Sequence, residues 1–188
     1  MKKIILFFTL ATAFVACTKV EDQTTSVITG LKTIKVAFNT DTTHYTLFRF
    51  SDGNVIPISD SASNNWDFGL RRSTFIVNSY SGGPGNAGAI FRDGLYDTTT
   101  TAPTLGYAYD TLTSKRAIKD GSWYDYNPQT RTFFPKAGKI FFFKTADGNH
   151  YVKMIMLSAG YEPFVGNTPN IVSYIFKYTY QSNGSATF

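Results

Sequence analysis

Across residues 171–180 aromatic side chains recur at every second position, Tyr174, Phe176, Tyr178 and Tyr180, with Ile175, Lys177 and Thr179 between them. A period of two is the repeat of a β-strand, whose successive side chains point to opposite faces, whereas a helix would scatter these rings around its axis. Rings gathered on one face must be buried against a second layer, and this confines the chain to packed β-sheet. The same period runs through residues 139–146 and 149–158, joined by Asp147-Gly148, a dipeptide that accepts positive φ and so predicts a β-hairpin. Further strands are expected at residues 31–38, 45–50, 55–58, 65–70 and 74–78. No stretch of the folded part carries an apolar stripe of period 3.6, and twelve Tyr and seventeen Phe favour strands. The expected fold is all-β and mostly antiparallel, a sandwich or irregular barrel, with long loops at residues 79–106 and 111–138. Loops of that length either carry function or are disordered.

The N-terminus reads as an export signal. Met1-Lys2-Lys3 is a basic n-region, and residues 4–15 form an apolar run of twelve, too short for a spanning helix of about 20 residues. The run ends in Phe14-Val15-Ala16-Cys17, which resembles the lipobox of bacterial lipoproteins. Cys17 is the only cysteine, so it suits a lipid attachment point rather than half a disulfide. Residues 1–17 are thus expected to be a lipoprotein signal and residues 18–29 a flexible tether, with residues 30–188 as one domain. In the tether, Lys19, Glu21 and Asp22 loosely resemble the charged export signal of Bacteroidetes surface lipoproteins. A domain of about 160 residues buries roughly 70% of its unfolded surface and needs no disulfide staples.

Charge and motifs exclude several functions. The formal charge of +5 includes Lys2 and Lys3, which leave with the signal, and the remaining cations are scattered without a nucleic-acid-binding motif. Gly83-Pro84-Gly85-Asn86-Ala87-Gly88 spells G-x-G-x-x-G, but a dinucleotide site needs a helix to begin there, and residues 89–101 carry Gly94 and four threonines in a row. His44 and His150 are the only histidines, at a strand mouth and beside a hairpin tip, with no nucleophile motif nearby. A structural zinc site is excluded because one Cys and two His fall short of the about four Cys or His ligands it needs. Asp67, Asp93, Asp97, Asp110, Asp120 and Asp125 fall at strand ends and turns, where Asp ordinarily caps backbone. Met154 and Met156 alternate with Lys153 and Ile155 on the side of Val152, which directs both into the core. No enzymatic activity is expected.

The strings Asn65-Trp66-Asp67-Phe68-Gly69-Leu70-Arg71-Arg72, Asn78 through Gly88 followed by Ala89-Ile90-Phe91, and Thr100-Thr101-Ala102-Pro103-Thr104-Leu105-Gly106-Tyr107 resemble the HmuY family, haem-binding lipoproteins of Bacteroidetes. Gly121-Ser122-Trp123, the strand opening at Lys139, Ala146-Asp147-Gly148 and the last aromatic strand extend the likeness over nearly the whole mature chain. The resemblance implies an all-β fold and a non-enzymatic role at the outer membrane or cell surface. That role would be to take haem or a related tetrapyrrole and pass it to an outer-membrane receptor. The alternative keeps the scaffold for a different ligand or a protein partner, without haem ligation.

The chain departs from the family where the resemblance places the axial His or Met ligands. Residues 110–138 contain neither type, and the position matching one ligand is Pro128. Trp123, Tyr124, Tyr126 and Arg131 are left as ligand-binding candidates. Either tyrosine would meet the iron as tyrosinate, giving a high-spin five-coordinate haem, and Arg131 would pair with a propionate.

Overall fold

The computed structural model describes residues 27–129, 132–166 and 168–188. In chain order it has β1 (Val27–Ala37), α1 (Phe38–Thr43), β2 (Thr46–Arg49), β3 (Asn54–Ile56), β4 (Phe68–Arg71), β5 (Thr74–Val77) and β6 (Gly88–Asp93). Then come β7 (Tyr124–Asn127), β8 (Thr132–Pro135), β9 (Lys139–Lys144), β10 (Tyr151–Val165) and β11 (Thr168–Gln181). The strands form a five-stranded sheet in the order β1-β11-β10-β9-β6, a four-stranded sheet in the order β3-β2-β4-β5, and the hairpin β7-β8. Among the described residues every strand pairing is antiparallel and no sheet closes into a barrel, so the architecture is an all-β sandwich.

The period-two pattern of residues 171–180 becomes the core. Tyr174, Phe176, Tyr178 and Tyr180 are at most 6% exposed, and Val152, Met154 and Met156 lie beside them from β10. The four-stranded sheet answers with Phe48, Phe68 and Phe75. Across the gap Phe48 meets Phe176 with ring centroids 5.2 Å apart, Phe68 meets Phe143 at 5.4 Å and Phe75 meets Phe141 at 5.0 Å. Such pairs add roughly 0.5–1.5 kcal/mol each beyond the burial of their area. The core packing of Met154 and Met156 leaves neither thioether free for a ligand.

Three local expectations are revised. Residues 79–106 contain β6, which glycines at both ends disguise, and residues 111–138 contain the β7–β8 hairpin, whose Pro128 and Pro135 argued against strand. β1 opens at Val27, with Val27 opposite Gln181 and Thr29 opposite Thr179, so residues 27–29 are strand rather than tether. The Asp147-Gly148 turn forms, but only Gly148 has positive φ, at 76°. Gly148 N–H donates to Thr145 O at 2.8 Å and Thr145 N–H to His150 O at 3.1 Å, which makes a longer, bulged connection rather than a two-residue turn.

The G-x-G-x-x-G segment serves packing. A Cβ on Gly83 would come within 2.6 Å of the Trp66 ring and one on Gly85 within 2.8 Å of Asn78 O. Asn78 Oδ1 instead accepts Gly85 N–H at 2.9 Å, while its Nδ2 donates to Trp66 O at 2.7 Å. The glycines let this loop close over Trp66 and lead directly into β6.

Candidate functional site

The tightest turn of the four-stranded sheet builds one wall of the site. Arg71 pairs with Thr74 across β4 and β5, leaving Arg72 and Ser73 as the turn, and Arg72 takes positive φ, at 51°. A non-glycine residue there is strained and needs holding. Arg72 N–H donates to Asp41 Oδ2 at 2.8 Å, and Tyr174 Oη lies 2.9 Å from both Asp41 Oδ1 and Arg72 O. Trp123 Nε1–H donates to Ser73 O at 2.9 Å. Burial raises the Asp41 carboxyl above its usual range, opposed by the Tyr174 and Arg72 donors, and burial also pushes the Tyr174 phenol up. A fixed turn presents the Arg71 and Arg72 side chains outward. The Arg71 guanidinium then lies 4.4 Å over the Tyr45 ring.

Residues 110–122 build the second wall. Asp110 is buried and accepts Val77 N–H at 3.1 Å, Ala117 N–H at 2.7 Å and Arg116 Nη1 at 3.0 Å. Burial raises its pKa, with the backbone donors and the guanidinium pulling the other way. This one carboxylate ties the segment to β5 and orients Arg116. Lys115, Lys119 and Asp120 follow on the exposed side.

Between the walls lies an open cleft of about 870 Å³ lined by Tyr45, Arg71, Thr74, Thr113, Ser114, Lys115, Arg116, Lys119 and Asp120. It adjoins an apolar recess of about 240 Å³ at Tyr45 and Arg116, where Leu47, Ile58, Trp66 and Ile76 contribute. A polar recess of about 330 Å³ adjoins it at Arg71, Thr74 and Asp120, bordered by Thr42, Arg72 and Ser73. The volume lies in the range of ligand clefts, and the cations outnumber the acids. Carboxylates, phosphates and sulfates are the groups such a rim attracts.

The residues singled out from sequence fall around this cleft in different ways. Trp123 is 1% exposed and packs on Phe75, Tyr124, Phe133 and Phe141, so it supports the Arg72-Ser73 turn from behind and does not line the cleft. Tyr124 donates to Asp120 Oδ1 at 3.0 Å, and burial first, then Asp120, holds its phenol pKa above the ordinary value. Tyr126 is 56% exposed, two residues along β7, and is not among the lining residues. Arg131 and Cys17 lie outside the described residues. His44 is exposed beside Thr43, and His150 Nδ1 sits 2.9 Å from Asp147 Oδ2, away from the cleft. Among the described residues no three His, Cys, Asp or Glu converge on a metal position.

Sequence reasoning missed Arg71, Lys115, Arg116 and Lys119 as a group. The signal available was Lys115-Arg116-Ala117-Ile118-Lys119, three cations in five residues within a long connection. Nothing in sequence pairs it with Arg71 or Tyr45, because that proximity depends on Asp110 and the β4–β5 turn. Comparison with protein-family models gives no match to this chain, and comparison with curated protein sequences gives none.

A tetrapyrrole can be tested against these side chains. Its acidic edge matches Arg71, Lys115 and Lys119, whereas Leu47, Trp66 and Ile76 at the adjoining recess are at most 5% exposed and leave mainly Tyr45 and Ile58 to meet its ring. No His, Met or Cys lines the cleft among the described residues, so the lining groups of a type able to ligate iron are the Tyr45 phenol and the Asp120 carboxylate, the latter engaged with the Tyr124 hydroxyl.

Proposed function

We propose that the chain is an exported, lipid-anchored binding protein of the HmuY type that holds haem or a related tetrapyrrole in the cationic cleft without catalysing a reaction on it. The observation that carries this reading is the cation-rimmed cleft with Arg71 stacked over the Tyr45 ring, a combination suited to a planar ligand bearing acids. The family resemblance supports the ligand class, and the lipobox at Cys17 supports attachment at the outer membrane or cell surface. An outer-membrane receptor is the partner this role requires, and no nucleic acid is involved. Titration of the full chain in detergent with haem, followed by tryptophan quenching, tests the reading. Saturable quenching at one haem per chain is expected. Linear, unsaturable quenching would contradict it.

A further inference from the structure

We infer that two copies of this chain join through the free edge of β1, antiparallel and centred on Leu31, so that the two five-stranded sheets run on as one. β1 is the outermost strand of its sheet, and all 11 of its residues pair with β11 in unbroken register, from Val27 opposite Gln181 to Ala37 opposite Ile171. Its other edge therefore carries a row of backbone N–H and C=O groups with no strand beside them among the described residues. Folded proteins seldom leave an edge so long and apolar. The other edges here are blunted. β3 has 3 residues, β5 donates Val77 N–H to Asp110 Oδ2 at 3.1 Å, and β6 exchanges bonds with Ala108 through Ala89 at 2.9 and 3.0 Å. Beyond the residues that β9 pairs, β10 is flanked by β8, with the Phe133 and Tyr161 rings 5.7 Å apart. β1 has neither proline nor bulge, and it exposes Leu31 by 66% and Ile28 by 39%.

The register selects the occupant. An added strand must set core-facing residues opposite core-facing residues, because a slip of one position flips every side chain to the other face. Centring on Leu31 does so, and it sets Leu31 opposite itself, Thr29 opposite Thr33, Ile28 opposite Ile34, Gly30 opposite Lys32 and Val27 opposite Lys35 of the second copy. Apolar and hydroxyl side chains then meet their own kind, which favours pairing, and no lysine opposes a lysine. The neighbouring register, centred on Lys32, would set that lysine against itself. The two lysines that could guard the edge are already engaged within the chain. Lys35 Nζ lies 2.9 Å from Glu162 Oε2, and Lys32 folds across Gly53, where a Cβ would come within 2.5 Å of its Cε. A strand of unrelated sequence has no reason to share this self-complementarity, so the occupant is a second copy.

Cross-linking by register tests this on the full chain, in detergent whose micelles outnumber the chains. Residues directly opposite in an antiparallel pair have Cβ atoms about 4.5–5.5 Å apart, close to the reach of a disulfide, whereas a residue two positions from the centre lies about 13 Å or more from its own copy. Leu31→Cys is expected to give a disulfide-linked dimer on mild oxidation, with peptide mass mapping placing the bond at residue 31 of both copies. Thr33→Cys should give at least about tenfold less of it. Sedimentation of the wild type at about 100 µM should show a particle of two chains. Leu31→Lys, which sets two ammonium groups against each other, should sediment as one chain with an unchanged circular dichroism spectrum. Equal linking through Thr33, a single-chain particle for the wild type, or a Leu31→Lys protein that still sediments as two chains would each overturn the inference. None of these results bears on the proposed ligand site, so the two readings stand or fall separately.

Discussion

Trp123 is the residue at which the difference between lining a site and building one is clearest. Its ring is sealed in the core and its indole N–H holds Ser73 O, so its contribution to the cleft passes through the turn that aims Arg71 and Arg72. Trp123→Phe keeps most of the packing and leaves the Ser73 carbonyl without its donor, which should lower the unfolding free energy by about 1–3 kcal/mol in denaturant titration. Asp67 shows how a buried carboxylate serves folding. Its two oxygens accept Phe50 N–H and Ala146 N–H, each at 2.8 Å, joining β2 to the β9–β10 hairpin, and burial raises its pKa to about 6 against those donors. A folded pKa above the unfolded value of 3.8 means that the folded state binds the proton more tightly. The associated stability is fully present below pH 3.8 and is lost as pH rises through about 6. Asp41 and Asp110 shift the same way, so the variant comparison isolates Asp67. The stability of the wild type minus that of Asp67→Asn should rise by about 1–3 kcal/mol between pH 7 and pH 4.5, and a flat difference would contradict the assignment.

At the scale of elements, alternation was legible wherever one face of a strand is buried, as in β11 and the first part of β10. Past the irregularity between Met156 and Ser158 the register with β11 shifts, so a strict period of two cannot follow β10 to its end. β6 and the β7–β8 hairpin escaped because they are short and flanked by Gly or Pro, and their existence depends on partners distant in sequence: β6 needs β9, and β8 lies against β10. α1 escaped for a related reason, since Phe38-Asn39-Thr40-Asp41-Thr42-Thr43 has poor helix propensity, and its Asp41 is instead held by Arg72 and Tyr174. The cleft was not legible: the cations at residues 115–119 were read as part of a scatter although they lie close together in sequence, and Arg71 and Tyr45 join them only through tertiary contact. The hairpin turn gives a direct check. Gly148 has φ of 76° and a Cβ there would sit 3.3 Å from Asn86 Cβ, so Gly148→Ala should cost about 1–2 kcal/mol of stability by thermal or denaturant unfolding. A neutral effect would mean that the turn relaxes to a conformation without positive φ.

The whole molecule is a sandwich whose aromatic core leaves the chemistry to its rim, where a turn and a tethered segment bring together cations from residues 71 and 115–119. Residues 1–26 lie outside the described residues, and the anchor proposed at Cys17 is open to a separate test. Cys17→Ser should abolish the lipid mass on the N-terminus and move the protein out of the membrane fraction, whereas retention in membranes would reject the anchor. The central claim is that the cationic cleft holds the ligand, and the haem affinity of the Arg71→Ala, Lys115→Ala, Lys119→Ala triple variant tests it most directly. These side chains are outside the core, so circular dichroism and the unfolding midpoint should stay at wild-type values. Haem affinity should fall by at least about thirtyfold, while Tyr124→Phe with Tyr126→Phe leaves it within about threefold. Wild-type affinity in the triple variant, or its loss on changing the two tyrosines alone, would contradict the account.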